Sequence, residues 1–160
     1  MTFHLATDAS TTGFGAVLSM YLHTGDTVLL EGPVGAGKTH LCRSVIQARL
    51  AQSGISEDVP SPTFTLLQTY DSGGVEIWHA DLYRLNSEEE IFELGLPEAF
   101  DTALCLIEWP DRLADMAPVS ALTLRLSVTP EDTRNLTLEW TDPRWDNVAT
   151  VLKDAGQWQW

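Results

Sequence analysis

The sequence contains few basic residues. Among 160 residues, Lys and Arg together number 9 against 23 Asp and Glu, and the formal net charge is −14. Only Lys38 and Lys153 are lysines. Affinity for nucleic acids depends largely on Lys and Arg that neutralise phosphates. The composition therefore argues against unaided binding of DNA or RNA, and it fits a basic protein partner or a larger assembly better.

Cysteines and long apolar runs are also scarce. The two cysteines, Cys42 and Cys105, fall at apolar positions of a predicted helix and a predicted strand. This suits buried thiols in a reducing cytosol, with neither a disulfide nor a metal. No apolar run approaches the roughly 20 residues that span a bilayer, and the first residues lack the pattern of a signal peptide. We therefore expect a cytoplasmic protein without membrane contact.

A complete G-x-x-x-x-G-K-[ST] motif occupies residues 32–39, between an apolar run at 27–31 and a helical pattern. Glycines let backbone N–H groups approach phosphates closely, and the positive end of the following helix faces the same charge. In this P-loop, Lys38 is expected to reach the β and γ phosphates and Thr39 to bind Mg²⁺. The alternative, an ordinary glycine turn, requires strand, spacing, lysine and helix to coincide by chance.

Apolar periodicity and turn residues predict the remaining elements. Predicted strands cover residues 2–6, 27–31, 63–70, 75–83, 104–107, 122–128 and 136–140. Predicted helices begin near residues 8, 38, 87, 110 and 150, and Gly25 and Gly95 mark the ends of the first and third. This pattern predicts one α/β domain over residues 1–160, with three layers, a mixed parallel and antiparallel sheet and a P-loop NTPase-like fold. For residues 156–160, a docked and a frayed tail both remain open.

Two acidic residues lie at the carboxyl ends of predicted strands. Asp81 and Glu108 would lie at the carboxyl ends of parallel strands, where a nucleotide bound to a P-loop needs a carboxylate for Mg²⁺. Each also has a simpler interpretation. Glu108 could be an exposed acid at a strand end, and Asp81 could pair with Arg84.

Other polar and aromatic residues leave alternatives open. Ser61, Thr63 and Thr65 could sense the γ-phosphate or belong to an inert loop. His79 fits a packed or hydrogen-bonded histidine better than a catalyst. Trp109 is either a packing residue or a nucleotide contact.

Several segments together resemble one family, the TsaE-type P-loop ATPases of bacterial tRNA threonylcarbamoyladenosine (t6A) biosynthesis. The similar segments are 25–30, the loop at 35–39, Ser61-Pro62-Thr63-Phe64-Thr65, His79-Ala80-Asp81-Leu82-Tyr83-Arg84-Leu85, 94–100 and Leu106-Ile107-Glu108-Trp109-Pro110. Their order and spacing agree over roughly residues 8 to 140. The P-loop alone would be weak support for this family, but the combination is specific.

The resemblance implies a Mg²⁺-dependent protein that binds and hydrolyses ATP as an accessory of the t6A modification complex. It implies partner proteins of the TsaB and TsaD kinds, contact with tRNA only through the complex, and no contact with DNA or membranes. The implied cofactors are ATP and Mg²⁺. The modification chemistry itself belongs to the partners.

The resemblance also implies site residues, by position. The phosphate-binding set is Gly35, Ala36, Gly37, Lys38, Thr39 and His40. Thr39, Glu108 and Asp81 are the candidate metal ligands, and Lys38, Asp81 and Glu108 are the candidate catalytic residues. Thr11 matches a residue on the adenine side, while Arg134 and Trp109 are candidate nucleotide contacts.

Two residues depart from the family pattern. Pro33 replaces the usual Asp and removes a backbone donor at the start of the loop. His40 replaces the usual Thr and adds a bulky side chain beside the α-phosphate. Both departures are expected to affect the affinity of the loop for a nucleotide.

Two other functions remain open for this sequence. A small-molecule kinase with a P-loop usually carries an arginine-rich lid, yet only Arg84 and Arg112 lie between Tyr83 and Arg125. A nucleotide-dependent interaction module with little hydrolysis would need the same residues as an ATPase.

Overall fold

The computed structural model describes residues 1–156. The described chain has seven strands: β1 Thr2–Leu5, β2 Thr27–Glu31, β3 Leu67–Ser72, β4 Val75–Asp81, β5 Leu104–Glu108, β6 Leu122–Val128 and β7 Arg134–Glu139. Its helices are α1 Asp8–Ser19, α2 Lys38–Gln52, α3 Glu88–Glu93, α4 Leu96–Thr102, α5 Arg144–Gly156 and a 3₁₀ helix at Pro110–Met116. Gly156 ends α5, and the rest of the predicted tail, 157–160, lies outside the described residues.

The strands form one mixed sheet in the order β1-β7-β6-β2-β5-β4-β3. The four central strands, β6, β2, β5 and β4, are parallel, and β1, β7 and β3 add antiparallel edges. Within β5, Leu104 and Leu106 face a core shared with α1, α2 and α5, whereas Cys105 and Ile107 face a second core under α3 and α4. Helices therefore cover both faces, which confirms the three-layer α/β fold.

The sheet register brings three strand ends together. Leu30 of β2 pairs with Glu108 of β5, and Glu108 pairs with Asp81 of β4. Because these strands are parallel, their carboxyl ends meet at one edge, next to the loop that follows β2.

The strands β3 and β4 pair antiparallel as a hairpin, and both are shorter than predicted. β3 begins at Leu67 because residues 63–66 form a turn, in which Leu66 donates its N–H to Pro62 O at 2.7 Å and has a φ of 67°. β4 ends at Asp81, whose carboxylate accepts from the backbone N–H of Tyr83.

The helix α4 was not predicted. The run from Gly95 to Pro97 was interpreted as the end of the acidic helix, but Gly95 is also the N-cap of α4 and Pro97 lies in its first turn. Proline is favourable there because its missing N–H has no helical partner. Ser87 is the N-cap of α3, since Glu90 N donates to its hydroxyl.

Other boundaries moved by a few residues. The N-cap of α1 is Thr7 and the helix ends at Ser19, before the apolar residues at 21 and 22. β7 begins at Arg134, and α5 starts six residues earlier than predicted. No helix among residues 1–156 is both long and apolar enough to cross a membrane.

Candidate functional site

The loop between β2 and α2 takes a conformation that depends on glycine. Gly32 has a φ of 145°, and a Cβ at this position would lie 2.6 Å from Leu126 O. Gly37 has a φ of 101° and caps α2 without a side chain, so the backbone N–H groups at the start of α2 remain open to a ligand.

Lys38 is the first residue of α2, and its ammonium group turns back over the loop. It donates to Gly32 O at 2.6 Å and to Pro33 O at 2.9 Å, and it lies 4.2 Å from the ring centroid of Trp109. Burial lowers the pKa of Lys38 from its usual value, and the nearby carboxylates of Glu108 and Asp81 oppose that shift.

A buried hydrogen-bonded group lies below Lys38. The Thr39 hydroxyl donates to Glu108 Oε1 at 2.7 Å, and Glu108 Oε2 lies 2.7 Å from His79 Nε2. Glu108 is therefore a buried acid held by two partners, which excludes the simpler interpretation of an exposed acid at a strand end.

Asp81 is buried beside this group. Its Oδ2 accepts from the Thr63 hydroxyl at 3.3 Å, and its Oδ1 accepts from Tyr83 N at 3.0 Å. Arg84 instead lies 4.3 Å above the ring of Phe64, and no ion pair joins it to Asp81 within residues 1–156. The predicted alternative, an Asp81–Arg84 pair, is therefore wrong.

These groups surround a cavity of about 390 Å³. Its lining includes eight of the predicted site residues: Gly35, Gly37, Lys38, Thr39, His40, Asp81, Glu108 and Trp109. Val34, Thr63 and Tyr83 complete it. The rings of Tyr83 and Trp109 lie 4.7 Å apart and form an aromatic wall.

Three predicted residues do not line this cavity. Thr11 and Ala36 are buried within the domain. Arg134 donates to Gly35 O at 3.5 Å and to Asp132, and thus contacts the outside of the P-loop. His40 lines the cavity and is also held by α1, since its Nε2 lies 3.2 Å from the Thr12 hydroxyl.

The two cysteines are free and buried. Burial raises the pKa of the Cys42 thiol well above its ordinary value, and the charges of Glu108 and Asp81 add to this. Burial likewise raises the pKa of Cys105 to about 12. Both thiols are therefore protonated near neutral pH.

Sequence reasoning missed two contributors. Tyr83 was assigned to a strand but forms part of the cavity wall. The sequence predicts a packed or hydrogen-bonded histidine at position 79 but does not identify its partner. In the structure the partner is Glu108. A signal existed for His79, because it stands two residues before Asp81 on one strand and so shares its face.

The donor set fits a divalent cation and a phosphate chain. Thr39, Glu108 and Asp81 offer hydroxyl and carboxylate oxygens, which Mg²⁺ prefers. Lys38 and the open N–H groups of α2 offer positive charge in the same cavity. The fold and the loop thus define a P-loop NTPase-like α/β domain.

Comparisons with known proteins assign the chain more narrowly. The family model described as "Threonylcarbamoyl adenosine biosynthesis protein TsaE" matches residues 5–136. A protein of Rickettsia bellii with the name tRNA threonylcarbamoyladenosine biosynthesis protein TsaE is 39% identical over 138 residues, which cover 85% of this chain and 94% of the relative. A Bacillus subtilis protein of the same name is 31% identical, with 89% of this chain and 87% of the relative covered. The chain belongs to the TsaE family.

A solved structure supports the fold. The crystal structure of Bacillus subtilis YdiB superposes with a TM-score of 0.76 and covers 96% of this chain and 94% of that one. At 23% identity, this likeness shows the shared fold.

Proposed function

We propose that this protein is a Mg²⁺-dependent ATPase that serves as an accessory of the tRNA threonylcarbamoyladenosine modification complex. One observation carries the proposal: the P-loop Thr39 and the strand-end Glu108 share a 2.7 Å hydrogen bond inside the cavity that Lys38 also lines. The family membership supplies the biological context.

Four residues of the cavity have distinct roles in this proposal. Lys38 exchanges the carbonyl oxygens of Gly32 and Pro33 for oxygens of the β and γ phosphates. Thr39 and Glu108 hold Mg²⁺, which neutralises charge on the phosphates. Asp81 orients the attacking water, since Thr63 and Tyr83 N fix its carboxylate at the cavity wall.

The kinase alternative has less support. A phosphotransferase needs arginines that clamp the phosphoryl group in transit. Of the two candidates, Arg84 lies over Phe64 and Arg112 lies near Asp111. Neither lines the cavity.

The proposed partners are proteins of the TsaB and TsaD kinds, and tRNA is reached only through them. A chain with net charge −14 gains little from direct contact with RNA phosphates. Phe64 and Tyr83 expose 79% and 49% of their surfaces beside the cavity, where a partner could respond to bound nucleotide. A cytoplasmic location is part of this proposal.

Phosphate release tests the proposal, with the protein alone and with the candidate partners, across a Mg²⁺ titration. Glu108→Ala should lower hydrolysis by about 100-fold or more while nucleotide affinity changes far less, because the lost ligand acts on charge that develops during reaction. Glu31→Ala is the matched control, since Glu31 also ends a parallel strand but pairs with Arg125 outside the cavity.

A Glu108→Ala protein with the wild-type magnesium titration would contradict the metal assignment. Tight ATP binding without phosphate release, even with the partners present, would favour the interaction module.

A further inference from the structure

The side chain of His79 is fully buried and lies against Glu108. Its Nε2 is 2.7 Å from Glu108 Oε2, while the Thr39 hydroxyl holds Oε1 at the same distance. In the tautomer that carries its proton on Nε2, the imidazole donates to this oxygen. Both oxygens of Glu108 are therefore fixed, one from α2 and one from β4.

The sheet register explains why the histidine reaches this carboxylate. In the parallel pair of β4 and β5, Asp81 is opposite Glu108 and His79 is opposite Leu106. His79 and Glu108 thus lie on one face of the sheet, one diagonal step apart. Both belong to strands with buried neighbours, and a contact between such strands is more rigid than one made from a loop.

The other ring nitrogen gives independent support. His79 Nδ1 is buried and has no hydrogen-bond partner among residues 1–156. An unsatisfied buried polar atom costs free energy. The contact with Glu108 is therefore the one hydrogen bond that the imidazole makes among the described residues.

The groups next to the pair are also buried. The Sγ of Cys42, the ring of His79 and the carboxylate of Glu108 offer ligand atoms within 4.8 Å of one another, and all three residues are buried. The Cys42 thiol is protonated and adds no charge. A hydrogen bond between buried groups is stronger than one in water, so the hydrogen bond between Nε2 and Oε2 is expected to be strong.

We propose that His79 is a positioning residue for Glu108, an inference that rests on the proposed function. His79 does not line the cavity, so it acts through the carboxylate and not on the nucleotide. In that function the Thr39 hydroxyl would also bind the metal. Its hydrogen bond to Glu108 would then be lost. The His79 bond would then remain as the support that holds Glu108 in place as a metal ligand.

Loss of this support should weaken metal binding more than nucleotide binding. Hydrogen-bond partners of ligating carboxylates typically contribute about 10- to 100-fold to metal affinity. His79→Leu removes the donor and keeps an apolar side chain in the space. His79→Gln keeps an N–H donor near the Nε2 position and should restore most of the affinity.

The test measures Mn²⁺ binding by electron paramagnetic resonance, in the presence of a non-hydrolysable ATP analogue. We expect His79→Leu to lose about 10- to 100-fold in Mn²⁺ affinity, His79→Gln to stay close to wild type, and metal-free analogue affinity to be unchanged in both. Ile77→Val is the control, because Ile77 is buried on the same face of β4 two residues earlier and does not line the cavity. It should bind Mn²⁺ like the wild type.

The outcomes separate this inference from the proposed function. If the wild type binds Mn²⁺ with the analogue and His79→Leu binds it equally well, the inference is wrong while the proposed function stands. If the wild type itself binds no Mn²⁺ with the analogue, the proposed function is wrong. Should His79→Leu fail to fold, ¹⁵N NMR of the wild-type imidazole decides. A proton on Nε2 supports the inference, and a proton on Nδ1 alone overturns it.

Discussion

The ammonium group of Lys38 takes part in three contacts within the P-loop. It donates to two loop carbonyls and lies over the Trp109 ring, so it already holds the loop in shape. A phosphate chain would replace the carbonyls as its acceptor. In the proposed function, the same charge therefore holds the loop before binding and the nucleotide after it.

Lys38→Ala should abolish productive ATP binding and leave the fold intact. Mg²⁺-ATP at about one hundred times its dissociation constant should stabilise the wild type by roughly 2.7 kcal/mol, because it binds only the folded state. The mutant should show no such gain in a thermal-unfolding assay.

Lys153→Ala is the matched control, since Lys153 is the other lysine of the chain and lies exposed on α5. It should keep the full thermal shift. A Lys38→Ala protein that is stabilised as much as this control would refute the phosphate role of Lys38.

At the scale of elements, the position of α2 depends on a close approach to α1. Gly15 of α1 is buried, and a Cβ on it would lie 2.7 Å from the Ser44 Cβ and 3.2 Å from Val45 N. The contact is made partly by backbone, which cannot rotate away. Lys38 and Thr39 are the first residues of α2. The packing of α1 against α2 therefore also affects where these two residues lie relative to the sheet.

Gly15→Ala should destabilise the protein by about 1–3 kcal/mol, because overpacking forces the two helices apart. Helix propensity alone predicts the opposite sign, since Ala is favoured over Gly by about 1 kcal/mol in a helix. Urea unfolding measures the difference. Gly13→Ala, at a half-buried position of the same helix, should be neutral or stabilising. If both mutants were stabilised equally, the close approach would not restrict α2.

For the molecule as a whole, the acidic charge and the family membership favour a subunit that acts within an assembly. An acidic protein steers toward basic surfaces, and it gains no affinity for tRNA phosphates by itself. The turn at 63–66 touches Asp81 through Thr63 and exposes Phe64. In the proposed function, this turn passes the state of the nucleotide to the partner.

Depletion of the protein should lower threonylcarbamoyladenosine in bulk tRNA, and mass spectrometry of digested tRNA measures this change. A plasmid copy of the wild-type gene should restore the modification. Asp81→Ala should fail to restore it even if the mutant still binds ATP, because hydrolysis needs the oriented water. Normal modification in cells that carry only Asp81→Ala would show that hydrolysis is not the contribution.

Local patterns were sufficient for the P-loop, the fold class and most elements. The motif at 32–39 predicts its own conformation because glycine spacing and the helix start are local properties. The continuous apolar run at residues 104–107 is typical of a strand covered on both faces, as β5 is. Boundaries at Gly95 and Leu67 were missed, because one glycine can end a helix and cap the next, and because residues 63–66 form a turn closed by the bond from Leu66 N to Pro62 O.

The sequence by itself determined that Lys38, Thr39, Asp81 and Glu108 are candidates for one site, since each follows a strand or opens a helix. Only the tertiary structure decided how they contact one another. The register of β4 against β5 places His79 beside Glu108, and Thr39 at the start of α2 reaches the same carboxylate. These are pairings between residues far apart in the chain. Their geometry depends on the packing of whole elements, which no local pattern encodes.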